Sequence, residues 1–448
     1  MYCTGRNIVK KKSELYDKFA SDSKLSKNLA NAALFRLRQK FTSRNKDNLT
    51  HNELEVLEEI DYTAIMTGAT IPKSVISYTF LEKLMRVTEN PDFFAGLPMQ
   101  TAQQIIKQEV QDFRSWLASL RAWKKDPSNF TGKPKMPKYK KNDLATIIYT
   151  NQDCVIYRKD GKCYLKFPGT KTRLEIQPLP EDAVLKEVKV KPHYGDFMVL
   201  YTYECAKPEN NTDLCNSAGL DLGVDNIAAI ATNEGHSLIV KGGAIKAENQ
   251  WFNKQRADLT SKLMTSNMPA ESKRLSALSE YRNHFFLDAW HQISKRIIDF
   301  CLEHKVAVLC IGRNRFWKQN TNMSTKENQE FVSIPFDLLR KMITYKAENA
   351  GIRVILQEES YTSQASFLDG DYIPTYGIDD SKNFSGVRFA RGLYRSADGT
   401  VINADLNAAA NILRKAKQDA CHVDVTNPEV LYYTSLHKRN PFKGIAAA

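Results

Sequence analysis

The chain has 448 residues, 42% hydrophobic and 26% charged, an ordinary globular composition with room for two or three domains. Lys and Arg number 64 against 51 Asp and Glu, a net charge of +13, which points to a polyanionic partner, most often nucleic acid. No apolar run approaches the ~20 residues of a membrane span, MYCTGRNIVKKK lacks a signal-peptide core, and eight scattered cysteines without a CxxC fit a reducing cytoplasm and exclude a cysteine-rich zinc site.

Residues 10–125 read as helical. SKNLANAALFRLRQKF (26–41), HNELEVLEEIDYTAIM (51–66) and TAQQIIKQEVQDFRSWLASLRAWKKD (101–126) are the main segments. In the last, Ile105, Val110, Phe113, Trp116, Leu117 and Leu120 follow helical spacing, with Thr101 as N-cap. Residues 127–141, PSNFTGKPKMPKYKK, change character, because three prolines and a glycine forbid regular helix. Lys133, Lys135, Lys138, Lys140 and Lys141 interleave there with Phe130 and Tyr139, cations and ring faces suited to a phosphate backbone and an unstacked base. From about 144 to 207 the period becomes two. TIIYT, CVIYRKDGKCYLKF, RLEIQP and EVKVKPHYGDFMVLYTYEC read as strands of an antiparallel, barrel-like domain, with Asp160-Gly161 as a hairpin turn.

The second half is organised around GLDLGVDN (219–226), a buried strand delivering Asp221 near its end, then a turn into IAAIAT (227–232). An acid in so apolar a run is costly unless it is paired or binds a cation. HSLIVKGG (236–243) makes a third strand. Two long helices (247–264 and 272–305), the strand VAVLCIG (306–312), a helix over 333–351 and the strand RVILQEES (353–360) follow. The order is three strands, helix, strand, helix, strand, an α/β sheet with antiparallel strands leading and parallel strands following. The RNase H architecture has this order. Residues 361–402 are irregular, VINADLNAAANILRKAKQ (401–418) is a helix with Asp405 in its first turn, and 419–448 reads as a frayed tail.

Cleaving a phosphodiester with two metal ions requires several carboxylates around one point, and oxygen donors select hard ions such as magnesium. Asp221 and Asp405 supply two. The strand beside the first ends in Gly312, which has no side chain to give; the next strand out ends in Glu358-Glu359, roughly 10 Å away at ~4.8 Å per strand. Either glutamate can complete the set, and Glu359, nearer the loop, is preferred.

GLDLGVDNIAAIAT, the helix with YRNHFFLDAWHQISKRIIDF, YTSQASFLD and INADLNAAANILRK together resemble TnpB, the transposon-encoded RNA-guided DNA nuclease of the insertion-sequence OrfB class, related to type V CRISPR effectors. LPMQTAQQIIKQEVQ and FTGKPKMPKYK look like that family's recognition and wedge segments, so the resemblance covers nearly the whole chain. It implies a helical recognition domain (1–126), a barrel-like wedge domain (127–215), an RNase H-like RuvC nuclease domain (216–418) with a target-nucleic-acid-binding insertion (361–402), and a C-terminal tail (419–448). It also implies a guide RNA, target double-stranded DNA, a two-ion magnesium site on Asp221, Glu359 or Glu358, and Asp405, and action at the prokaryotic nucleoid. Arg282, Asn283 and His284 on the long helix are candidates to line the substrate channel. Oligomeric state stays open, with a monomer favoured.

Two departures from the family stand out. Gly312 replaces an acid, although some members relocate a glutamate to the strand before YTS. The insertion's zinc-ribbon cysteines are missing, with Ala365 and Ser366 in the first pair region and no cysteine from 311 to 420. No zinc is expected, and packing of Phe367, Tyr372, Tyr376, Phe384 and Phe389 is expected to hold the insertion instead. The competing readings are a guided binder that represses without cutting, suggested by Gly312, and an RNase H-fold transposase, which would carry no RNA.

Overall fold

A computed structural model describes residues 1–44, 46–206, 214–266, 272–313, 333–376, 378, 383–417 and 425–434. The chain divides into two units, Met1–Ala206 and Lys207–Ala448.

In the first unit, helices α1 (Glu14–Thr42), α2 (His51–Thr67), α3 (Tyr78–Val87) and α4 (Met99–Lys125) enclose a core that includes Leu34, Ile60, Leu81, Ile106 and Phe113. Thr50 starts α2 with a capping box: its hydroxyl accepts from the Glu53 N–H and the Glu53 carboxylate accepts from the Thr50 N–H. A second core joins the start of α1 to two antiparallel sheets. One has the order β1–β7–β6–β2, built from Tyr2–Val9, Asp196–Glu204, Val184–His193 and Ile147–Thr150. The other is β3–β4–β5, built from Val155–Lys159, Lys162–Lys166 and Arg173–Ile176. Asp160 and Gly161 both take positive φ, as a two-residue hairpin turn requires.

Two sequence expectations change here. Residues 1–126 are not wholly helical, because Tyr2–Val9 pairs along its full length with Phe197–Glu204. That strand has little apolar alternation of its own; a partner far along the chain makes it a strand. Thr101 does not cap α4, which begins at Met99; its buried hydroxyl donates to Asp153 at 2.8 Å.

In the second unit, alternation assigns each side of a six-stranded sheet ordered β12–β11–β8–β9–β10–β16. The strands are β8 (Asn216–Asp221), β9 (Asn226–Thr232), β10 (Ser237–Lys241), β11 (Val306–Arg313), β12 (Arg353–Glu358) and β16 (Glu429–Tyr432). β8, β11 and β12 run parallel, and β9 is antiparallel to both β8 and β10. Ala218, Leu220, Leu309 and Ile311 face one core with helices α6 (Lys273–Glu303) and α7 (Phe336–Asn349). Ala229, Ile239 and Cys310 face the other, covered by α8 (Ala404–Ala416). Helix α5 (Gly243–Thr265) precedes α6. The insertion carries a small sheet, β13 (Val387–Ala390), β14 (Leu393–Arg395) and β15 (Val401–Asn403).

The expected frayed tail is corrected in its described part. Glu429–Tyr432 adds a parallel edge strand to β10, and Tyr433 is buried against Phe285 with its hydroxyl donating to Asp288 at 3.0 Å. Four residues without alternation give no period to read.

Candidate active site

Strand parity sets where Asp221 points. It is two residues beyond Gly219, whose place on the α8 side is filled by helix backbone: an added Cβ would lie 2.0 Å from the Ala409 carbonyl oxygen. Only glycine lets α8 approach β8 this closely. Asp221 therefore ends the strand under the first turn of α8, where Asp405 sits. Asn403 caps that helix, its side-chain oxygen accepting from the N–H groups of Asp405 and Leu406 at 2.9 and 3.3 Å. Asn226, the first residue of β9, donates to Asp405 Oδ2 at 2.7 Å and accepts from Lys241 at 3.1 Å, which fixes the carboxylate's rotation.

The third acid is Glu359. β11 lies between β8 and β12, and the register Ile311↔Leu220 brings Gly312 level with Asp221. A Cβ on Gly312 would meet Glu359 Oε2 at 2.4 Å and Ile412 Cδ1 at 2.7 Å. The glutamate thus crosses the middle strand and puts its carboxylate where a side chain from 312 would stand. Glu359 shares the parity of Ile355, which packs on the α8 side.

Glu358 is spent elsewhere. One oxygen binds Lys415 at 2.6 Å and the other accepts from the Ser360 N–H at 2.7 Å and from its hydroxyl. Burial alone would raise its pKa, but those hydrogen bonds hold it below the ordinary value.

The electrostatics separate the acids in the same way. Burial first, then the negative charges of Asp405 and Glu359, push the Asp221 carboxyl well above its usual range. Burial raises Glu359 to about 7. The guanidinium of Arg388 on β13 lies 3.9 Å from Asp405 Oδ1. Asp221 stands in electrostatic reach of both Asp405 and Glu359, with Arg388 and Arg340 as the facing cations; such a set of carboxylates fits a divalent cation, and all-oxygen donors suit a hard one.

The expected aromatic packing holds only in part, with Phe367 in the core and the Phe384 ring 6.4 Å from that of Tyr361, and polar contacts supply the rest. Phe367 is buried, but Tyr372, Tyr376 and Phe389 are 66%, 76% and 42% exposed. On α8, Asn407 accepts from the Phe367 N–H at 2.9 Å and donates to the Ala365 carbonyl at 2.8 Å. Asn411 donates to the carbonyls of Thr362 and Ala365 at 2.9 and 2.7 Å. Asp371 accepts from the N–H groups of Ser366 and Ser385 and from the Ser385 hydroxyl. Sequence reasoning missed Asn407 and Asn411, although two asparagines four apart share a helix face, which was the available signal.

The remaining nucleic-acid candidates divide. Lys133, Lys135 and Lys138 are exposed on a segment strapped to α1 and α4 through Arg38 to the Pro137 carbonyl (2.7 Å) and Trp116 to the Pro134 carbonyl (3.2 Å). Tyr139 lies under Arg38, 5.0 Å from its guanidinium. Lys140 is instead turned onto buried Glu109. Arg282 is engaged between α5 and α6: it donates to the Ser333 carbonyl at 2.5 Å and lies between the rings of Phe252 and Phe286. Those are packing contacts.

Comparison with known proteins agrees with this architecture. Residues 200–317 match the OrfB_IS605 family of probable transposases, and residues 336–412 match the Cas12f1-like TNB domain. The first match holds the Asp221 strand; the second runs from α7 into α8 and holds both glutamates and Asp405. The TnpB-like protein ORF457 of Acidianus two-tailed virus is 24% identical over 269 residues, 58% of this chain and 54% of that protein. The CRISPR-associated endodeoxyribonuclease Cas12f2 of a Micrarchaeota archaeon is 24% identical over 271 residues, 58% of this chain and 47% of that protein. The chain spans about half the length of these curated relatives. Its fold is similar to that of Cas12f1 in a cryo-electron microscopy complex with single guide RNA and target DNA, with TM-score 0.52, 15% identity, and 89% of this chain and 82% of that chain covered. The resemblance to TnpB is thus borne out, and the mixed α and β fold is similar to that of Cas12f1.

Proposed function

We propose that the chain is an RNA-guided DNA endonuclease of the TnpB class, with one RuvC-type site formed by Asp221, Glu359 and Asp405. The observation that carries this is the Glu359 carboxylate lying over Gly312, level with Asp221 and beneath α8. Magnesium, bound as a pair of ions, would activate a water and stabilise the leaving oxygen of the phosphodiester. The protein's part is to hold three oxygens with fixed aim: Asp221 by its strand end, Asp405 by the Asn403 cap and the Asn226 amide, Glu359 by its reach over glycine. Exposed Lys133, Lys135 and Lys138 would grip nucleic-acid backbone without reading sequence. Residues 1–126 and 127–215 would serve as recognition and wedge regions, with strand Tyr2–Val9 joining the wedge sheet. Base pairing with a guide would read most of the target, and the protein a short flanking motif.

A guided binder that does not cut drew its motive from Gly312, and Glu359 removes that motive. A transposase would carry no RNA, so sequencing RNA that co-purifies with the protein separates it from both guided readings. The deciding experiment is plasmid cleavage by the RNA-loaded complex at saturating magnesium. Asp221→Ala and Glu359→Gln should be inactive and Glu358→Gln active. An active Glu359→Gln beside an inactive Glu358→Gln would reverse the assignment, and a wild-type complex that binds target without cutting would favour the repressor.

A further inference from the structure

Both chain neighbours of Glu359 are held by a single ammonium. Lys415, in the last turn of α8, donates to Glu358 Oε2 at 2.6 Å, to the Ser360 carbonyl at 3.2 Å and to the Pro374 carbonyl at 3.1 Å. An ammonium has three donors, and all three have acceptors here. The side chain is 9% exposed, so this charge is well removed from water. Thr362 closes the turn from the other side, its N–H and hydroxyl donating to the Glu359 carbonyl at 3.3 and 2.9 Å.

We propose that Lys415 is a positioning residue that sets the reach of Glu359 into the acid cluster, a role that rests on reading that cluster as a divalent-cation site. Asp405 and Lys415 stand ten residues apart on one helix, about 15 Å at 1.5 Å per residue. The helix acts as a ruler: one end carries an acid of the cluster, and the other grips the strand end that carries the third. Without the grip, Glu358 Oε2 and two carbonyls lose their donor, and the 358–360 turn, still closed by Ser360 and Thr362, loses its tie to α8 and can shift at the sheet edge. A carboxylate that must cross a whole strand to meet its partners tolerates little such movement, since a functional site needs placement within about 0.5 Å. The same ammonium occupies Glu358, which keeps the neighbouring carboxylate from competing for the place over Gly312.

The test is a calorimetric titration of the full-length protein with manganese, beside thermal melting in chelator. Asp221→Ala identifies the site. Lys415→Met should bind manganese about 10–100-fold more weakly, the usual loss when a group orienting a metal ligand is removed. Lys415→Arg should recover part of that loss. Glu358→Gln should lose less, because Lys415 keeps both carbonyls. In cleavage assays of the RNA-loaded complex, the magnesium half-saturation of Lys415→Met should rise in step while the rate at saturating magnesium returns. Lowered melting with unchanged manganese affinity would make Lys415 merely structural and overturn the proposal. Should Lys415→Met not fold, unchanged affinity in Glu358→Gln overturns it equally. If wild-type protein has no manganese site that Asp221→Ala removes, the acid-cluster reading fails and the positioning role falls with it; a wild-type site left untouched by the Lys415 variants sinks the positioning role alone.

Discussion

Helix α8 carries two polar clusters of opposite kind. At its N-terminal end, Asp405 joins Asp221 and Glu359, three carboxyl groups faced by the Arg388 guanidinium 3.9 Å from Asp405. From its middle to its C-terminal end, Asn407, Asn411, Arg414 and Lys415 meet acceptors and donors of complementary kind from residues 358–374. Fully paired polar groups specify structure. Carboxylates gathered at one point work against folding even when some carry partners, as Asp405 does in Asn226. One helix thus carries the proposed acid cluster and, toward its other end, the contacts that hold its surroundings.

Substitution should break this comparison in graded steps. Asp221→Ala should abolish cleavage by the loaded complex and yet raise stability in chelator by about 1 kcal/mol, the size of gain typical when functional strain is relieved; melting curves and plasmid assays on one preparation check both. Gly312→Ala should reduce magnesium-dependent cleavage at limiting magnesium by about 10–100-fold, because its Cβ displaces the Glu359 carboxylate. The protein should stay folded but lose about 1–3 kcal/mol, since the added methyl also crowds the buried Ile412 Cδ1 at 2.7 Å, and circular dichroism with melting curves tests that. Asn411→Ala strikes the other cluster. Leaving the Thr362 carbonyl without its donor should destabilise by about 1–3 kcal/mol in denaturant unfolding, with activity per folded molecule much less affected than in Asp221→Ala.

The smallest expected effect is on pH. Burial raises Glu359 from 4.5 to about 7. The folded protein then binds a proton there that the unfolded chain has released, so stability in chelator is fully present below 4.5 and falls as pH rises through 7. Excess magnesium should reverse the trend, because the cation replaces the proton. Melting temperatures between pH 5 and 8, with and without magnesium, read both slopes; a flat profile in chelator would show that Glu359 is not buried among like charges.

Much of the site was legible because its signals are local. GLDLGVDN shows an acid ending an apolar strand, INADLN shows an acid in a capped first helical turn, and the order of strands and helices after 216 follows from periodicity. Parity even favours Glu359, which shares the phase of Ile355. The insertion was only half legible: Phe367 and Phe384 pack as expected, Tyr372, Tyr376 and Phe389 do not, and hydrogen bonds involving Asn407, Asn411 and Asp371 complete the hold. Strands Tyr2–Val9 and Glu429–Tyr432 were missed because their pairing partners lie far along the chain and their own residues carry no clear period.

By itself, then, the sequence determined a basic chain with three acids at the ends of regular elements, since alternation and capping are written over a few neighbouring residues. Only the tertiary structure decided how Glu359, the preferred acid, reaches Asp221 while Glu358 is drawn away. That choice depends on the bare α-carbon of Gly312 one strand over and on the ammonium of Lys415 at the far end of a helix, and such distances close only when the sheet and the helix pack.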